Sequence, residues 1–273
     1  MNKKVITRVA PAPSGLFHIG TLRTALLNYL YARANNGEFI LRIDDTDQDR
    51  GNESYIDYIY DQMSTFKLDH DSTFRQSERL ERYQEVAYMI GQEDALDGSV
   101  SIDMKKYQMN ILRADNGYPL YNFASTLDDY DYNITHIIRG TDHISNESKQ
   151  RKVWDLLNEV FNENKPFPEL IHAGLLLDGK TGRKISKRDG SGLVSDYSDY
   201  SNEAILNWIL KLGWSSKDSK FDKMYPTLNI EQMISVFNSG NINQSNTKVF
   251  IDKLEWLHKK FENEKRKTLL CNS

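Results

Sequence analysis

The chain has 273 residues, 39% hydrophobic and 27% charged, with a formal net charge of −4. It is long enough for one large domain or two small ones, and too hydrophobic for a disordered polymer. The balance does not mark a strongly basic nucleic-acid binder, although lysines and arginines gather at 180–188 and 259–267. One cysteine, Cys271, excludes an intrachain disulfide and a multi-cysteine zinc site. No apolar run approaches the ~18–20 residues of a membrane span, and the N-terminus lacks the apolar core of a signal peptide. The expectation is a cytoplasmic protein with no membrane partner.

Val5 to Ala10 reads as a strand, and Leu22, Ala25, Leu26, Tyr29 and Leu30 recur at helical spacing. Asn35-Asn36-Gly37 supplies a helix stop. Glu38 to Asp44 is a second strand, so the first 44 residues form a βαβ unit with parallel strands. Pro11 to Thr21 is then the turn at the carboxyl end of the first strand and the N-terminus of a helix. Unpaired N–H groups and the helix dipole favour an anion there. Arg8 and Asp44 fall near the two strand ends, where ligands of such sheets bind.

Further helices are expected over 53–66, from Arg75 to about Ile90, from Tyr121 and over 148–161. Residues 91–101 read as a loop, 106–112 as a short strand, and 134–139 and 170–177 as apolar strands. From Asn202 the pattern is helical: a stripe of Ala204, Ile205, Trp208, Ile209 and Leu212, then 230–237 and 250–257. The tail, 262–273, reads as frayed. The fold class is α/β, a Rossmann-like parallel sheet, followed by a small all-α segment. The expected domains are 1–198, with a vestigial insert at about 88–112, and 199–262.

Two stretches carry chemistry. Gly15 and Gly20 let backbone approach a ligand, and His18 brings an imidazole to the helix N-terminus. In the loop 179–190, Lys180, Arg183, Lys184, Lys187 and Arg188 lie among three glycines. Such a loop could close over a nucleotide and neutralise charge during displacement at phosphorus. Taken alone, the first is an ordinary helix entry and the second an exposed basic loop.

Together and in this order they resemble the class I aminoacyl-tRNA synthetases, specifically the glutamyl branch. His18-Ile19-Gly20-Thr21 resembles the first ATP motif, and Lys184-Ile-Ser-Lys-Arg188 the second. Thr7 to Gly15, Leu41 to Asp47, Arg75 to Arg79, Tyr118 to Ala124, His136 to Ser145 and Lys253 to Leu257 also resemble that branch. The resemblance implies ATP and Mg2+ as cofactors, with no zinc. It implies that His18, Lys184 and Lys187 are catalytic, and that Gly20, Thr21 and Ser186 join them in ATP binding. It implies a glutamate site of Arg8, Ala12, Asp44, Tyr121 and Arg139, with the two arginines and the tyrosine on the side-chain carboxylate and Asp44 on the α-ammonium. Two guanidinium groups suit a carboxylate better than a neutral amide.

The implied partners are L-glutamate and the acceptor end and stem of tRNA, and the expected state is a monomer. The chain departs from the family in having Asp44 where Glu is common and Ala12 where Ser is common. Its insert between Leu80 and Gly117 is also short, and no anticodon-binding domain is expected after Leu257. The implied reaction is activation of glutamate to glutamyl-adenylate and transfer to tRNA. The alternatives are the same adenylation with another acceptor (an anticodon nucleoside, a small amine or a carrier protein) and an inactive tRNA- or protein-binding remnant.

Overall fold

A computed structural model describes residues 4–47, 52–91, 101–102, 109–113, 116–186, 191–217, 227–238 and 240–271. Strand β1 (Ile6–Val9) leads into α1 (Ile19–Ala34), which returns to β2 (Glu38–Ile43). β1 and β2 pair in parallel, with Thr7 opposite Phe39, as the βαβ reading requires. Helix α2 (Glu53–Thr65) crosses to β3 (Ser72–Arg75), parallel to β2 on its other side.

The expected helix from Arg75 starts later. Arg75 ends β3, Gln76–Arg79 form a 3-10 turn, and α3 spans Leu80–Ile90. Within the short insert, β4 (Ser101–Ile102) pairs antiparallel with β5 (Met109–Asn110). So 101–102, read as loop, is strand, and 106–112 is strand only over two described residues; 92–100 and 103–108 lie outside the described residues.

Helix α4 (Tyr121–Asp131) precedes β6 (His136–Gly140), and α5 (Glu147–Phe161) precedes β7 (Glu169–Ala173), parallel to β6. β6 lies beside β1. The Thr135 amide donates to the Ile6 carbonyl at 2.9 Å at one end, while Arg8 and Arg139 line one cavity at the other. The spatial order is therefore β3-β2-β1-β6-β7, and the direction of winding reverses between β1 and β6. A crevice opens at such a switch point. Asn28, buried in the middle of α1, closes the back of that fork. Its Nδ2 donates to the Ile138 carbonyl at 2.8 Å, and its Oδ1 accepts from the Ile138 amide at 3.3 Å. A side-chain amide thus supplies pairing that the β6 backbone would otherwise lack.

The apolar run 170–177 divides in two. β7 ends at Ala173, and β8 (Leu176–Asp178) leaves the sheet. The break falls at Gly174, where any Cβ would overlap the Ser245 carbonyl of a crossing segment. The C-terminal part is carried by α6 (Asn202–Gly213), α7 (Ile230–Phe237) and α8 (Ile251–Cys271). Three short strands sit among these helices: β9 (Trp214–Ser216), β10 (Gly240–Ile242), which pairs with β9, and β11 (Thr247–Val249), which runs parallel to β8.

Helix α8 continues to Cys271, so the tail expected to fray is helical over its described length. α6 packs on α1 and α8, and one continuous apolar core includes Leu26, Phe39, Trp208, Leu254 and Phe261. A second cluster joins α3, α4 and α5 through Tyr83, Phe123 and Trp154.

Candidate active site

A cavity of about 830 Å3 occupies the switch point. Arg8, Ala12, His18, Gly20, Thr21, Asp44, Tyr121, Arg139, Lys184 and Ser186 all line it. Of the candidate site residues, only Lys187 lies outside the described residues. Residues up to 178 positions apart in sequence thus meet in one crevice because the strands and helices that carry them end there.

At one end, His18 is the N-cap of α1. Its Nδ1 accepts from the Gly20 amide at 3.0 Å, and its Nε2 lies 3.0 Å from the Ser191 carbonyl. An amide donor on one nitrogen and a carbonyl acceptor on the other select the neutral tautomer with the proton on Nε2. The basic loop returns onto this cap. The Ile19 amide donates to the Gly192 carbonyl, and the Val194 amide to the Phe17 carbonyl, both at 2.9 Å. Gly192 has φ +74°, and a Cβ there would stand 2.5 Å from Ile185 and 3.0 Å from His18 Nε2. Earlier in the loop, Lys184 Nζ donates to Asp142 Oδ2 at 3.0 Å. The two motifs, separate in sequence, form one wall.

At the other end stand three arginines. Arg139, only 5% exposed, donates from Nη1 to Gln150 Oε1 at 2.7 Å and from Nε to His172 Nε2 at 3.4 Å. Its Nη2 is buried without a hydrogen-bond partner, and no described carboxylate forms an ion pair with it. Burial, and then the neighbouring Arg8 charge, hold the Arg139 guanidinium below its ordinary pKa. The cation is undercompensated. Across from it, the Tyr121 hydroxyl lies 3.2 Å from His143 Nδ1. Burial holds the His143 imidazole below its ordinary pKa, which favours the neutral ring beside the Tyr121 hydroxyl.

Arg8 and Arg42 are, by contrast, paired. Arg8 grips Asp129 with Nε and Nη2, both at 3.0 Å. Arg42 bonds Asp44 through Nε at 2.6 Å and Nη2 at 3.2 Å, and Asp129 through Nη1 at 3.1 Å. Burial opposes the Arg42 charge, but Asp44, Asp129 and Asp128 outweigh it and hold its pKa well above the ordinary value. Asp44 is pushed up to about 6, by burial first, with Arg42 pulling the other way.

The acidic run after β2 and the Arg75–Arg79 block, which have no separate role in the sequence reading, form the foundation of this wall. Arg75 Nε donates to Asp45 at 2.8 Å, the Ser77 amide donates to Asp45 at 2.8 Å, and Gln76 and Arg79 both donate to Asp128. Arg42, Asp128 and Asp129 are the residues that sequence reasoning missed. A signal for the last two existed. Two adjacent carboxylates, here between Leu127 and Tyr130, stand about 100° apart on a helix, so a helix packed on its apolar face turns at least one of them inward, where it needs a buried cation.

The chain was compared with known proteins. The family model "tRNA synthetases class I (E and Q), catalytic domain" matches residues 4–92 and 87–256, two stretches that meet at 87–92. The glutamate–tRNA ligase of Francisella philomiragia is 33% identical, over 96% of this chain and 67% of that protein. Glutamate–tRNA ligase 1 of Helicobacter hepaticus is 32% identical, over 98% of this chain and 68% of that protein. The Francisella alignment spans 326 positions, more than the 273 residues here, so that relative holds residues within the match that this chain lacks. The crystal structure of glutamate-tRNA synthetase from Elizabethkingia anophelis superposes with a TM-score of 0.77 at 24% identity, covering 95% of this chain and 70% of that one. That likeness is one of fold.

Proposed function

The chain belongs to the class I tRNA synthetases of the glutamate and glutamine group, and from that membership we propose that it activates L-glutamate with ATP and passes the glutamyl group to tRNA. The observation that carries the choice of amino acid is Arg139. A buried guanidinium with no partner for Nη2 and no counter-ion among the described residues, lining a cavity, is completed by a substrate carboxylate. The neutral amide of glutamine would leave its charge uncompensated.

In this reading the glutamate side chain meets Arg139, Arg8 and Tyr121. Its ammonium meets Asp44, and Ala12 borders the same end. ATP lies along the α1 N-terminus over Gly20 and Thr21, where the helix dipole favours its phosphates. His18, Lys184 and Ser186 complete that wall, and Lys187, from the same motif, is assigned to the same phosphates by the family resemblance alone. A glutamate α-carboxylate oxygen attacks the α-phosphorus, the bond to the bridging oxygen breaks, and pyrophosphate leaves. The lysines stabilise the charge carried onto the leaving group. A hydroxyl at the tRNA 3′ end then attacks the glutamyl carbonyl and AMP departs. No protein nucleophile takes part; the residues bind and orient.

Among the described residues, no group of three or more His, Cys, Asp or Glu could hold a metal ion. Magnesium would therefore enter as part of a MgATP substrate, held chiefly by phosphate oxygens and water. No described helix is long and apolar enough to cross a membrane. A monomer as the working unit is part of the proposal. A shortened insert near 88–112 is supported by the meeting of the two family matches at 87–92. The division at 198–199 into a catalytic and a helical part, with a tail from 263, remains our proposal.

ATP–pyrophosphate exchange, with and without tRNA, tests the reading. Glutamate should support exchange, with glutamine weaker by about a hundredfold, the scale set by one buried unpaired charge. Glutamate-independent exchange, or equal rates with glutamine, would sink it. Charging of total tRNA should give an alkali-labile ester at the 3′ end; active adenylation without that ester would favour a different acceptor.

A further inference from the structure

The two ends of the amino-acid pocket are wired to a single carboxylate. Asp44 is held by Arg42 through two bonds, of 2.6 and 3.2 Å. Arg42 reaches Asp129 Oδ1 at 3.1 Å, and Arg8 closes on both oxygens of Asp129 at 3.0 Å. Arg8, Arg42 and Asp129 are buried, and the charges alternate along the string. Asp129 lies on α4, the helix whose first residue, Tyr121, also lines the cavity.

We infer that Asp129 is a positioning residue for the amino-acid substrate, fixing Arg8 at the side-chain end and, through Arg42, Asp44 at the ammonium end. The inference rests on the reading of the pocket given above. Its physical basis has two parts. An arginine on a flexible stem is worth most to a ligand when a bidentate partner already fixes its plane, because less freedom is lost on binding. Asp129 holds the Nε and Nη2 edge of Arg8, which leaves the Nη1 side for the cavity.

The second part is charge. Arg8 and Arg139 together would set two positive charges against one substrate carboxylate. Asp129 offsets Arg8, so one undercompensated cation, Arg139, remains for one incoming anion. The spacing between the two recognition points is then set by Arg42 and Asp129 and not by surface loops. Asp128, the neighbouring carboxylate, accepts its hydrogen bonds from Gln76, Arg79 and Tyr83 and meets the string only as a charge, 3.7 Å from Arg42 Nε.

The test is Asp129→Asn in ATP–pyrophosphate exchange, with Asp129→Glu beside it. The asparagine variant should raise the glutamate KM about tenfold or more, while kcat and the ATP KM stay within about twofold. Asp129→Glu keeps the charge and should recover part of the loss. A wild-type glutamate KM in Asp129→Asn, or an equal rise in both KM values, overturns the inference, because a merely structural carboxylate would not act on one substrate alone. If Asp129→Asn does not fold, Asp129→Glu decides: an unchanged glutamate KM overturns it, and a selective rise supports it. A wild-type chain with no glutamate dependence overturns the pocket reading and this inference together, whereas a dependent wild type with a silent Asp129→Asn overturns the inference alone.

Discussion

In the proposed pocket Asp44 has to be ionised to receive an ammonium group, yet its burial favours the neutral acid. Burial lifts it to about 6 even with Arg42 beside it. The sign of the consequence is fixed: above about pH 6 the carboxylate is charged and attracts the ammonium, and as pH falls through 6 that attraction is lost. The kcat/KM for glutamate, which reports groups in the free enzyme, should therefore drop tenfold per unit below about pH 6. Asp44→Asn should be slow and flat over that range. Ala12 is the other residue to examine at this scale. It is exposed in the turn after β1 and lines the cavity, so a hydroxyl fits there without displacing a neighbour. Ala12→Ser should lower the glutamate KM roughly three- to tenfold, the worth of one hydrogen bond of about 0.5–1.5 kcal/mol. An unchanged KM would place Ala12 outside the amino-acid site.

At the scale of elements, the proposed ATP site depends on the seam between the α1 entry and the basic loop. The loop docks through two backbone bonds, from the Ile19 amide to the Gly192 carbonyl and from the Val194 amide to the Phe17 carbonyl, and its carbonyl at Ser191 faces the His18 ring. Gly192 permits this because its φ is +74° and the place that a Cβ would take is already crowded by Ile185 and His18. Gly192→Ala should cost about 1–3 kcal/mol through the left-handed backbone and the overlap. The loop should also shift away from His18. Denaturant unfolding reads the first effect, and a raised ATP KM with little change in glutamate KM reads the second. Equal effects on both substrates would mean that the seam does not belong to the nucleotide end.

At the scale of the molecule, the helical segment and the nucleotide-binding sheet share a core. α6 lies on α1, β11 pairs with β8, and Arg23 of α1 donates to the carbonyls of Gly174 and Leu212, at 2.6 and 3.3 Å. Burial lowers the Arg23 pKa to about 10, which still leaves it charged at pH 7. A chain built this way should unfold in one cooperative transition followed alike by tryptophan fluorescence and far-ultraviolet circular dichroism. A chain cut after Tyr200 exposes the apolar face of α1 and should not fold by itself. Two separated transitions, or a folded truncation, would show that the segments at 198–199 are independent domains.

Much of this protein could be read from residues in order. The βαβ start follows from alternating strand and helix periods closed by Asn35-Asn36-Gly37. The site candidates follow from motifs whose residue types have few other uses together. Local sequence determines such features because period, caps and turns act within a few residues. The tertiary structure decided what depends on distant partners. It turned Arg75 into the end of a strand, because β2 offers that strand a parallel edge, and it split 170–177 at Gly174, where a crossing segment leaves no room for a side chain. It also set Asn28 into the fork between β1 and β6. Above all, it buried Asp129 between Arg8 and Arg42. No spacing rule joins positions 8, 42 and 129, since what brings them together is the order of strands in space and the cost of leaving a buried charge alone.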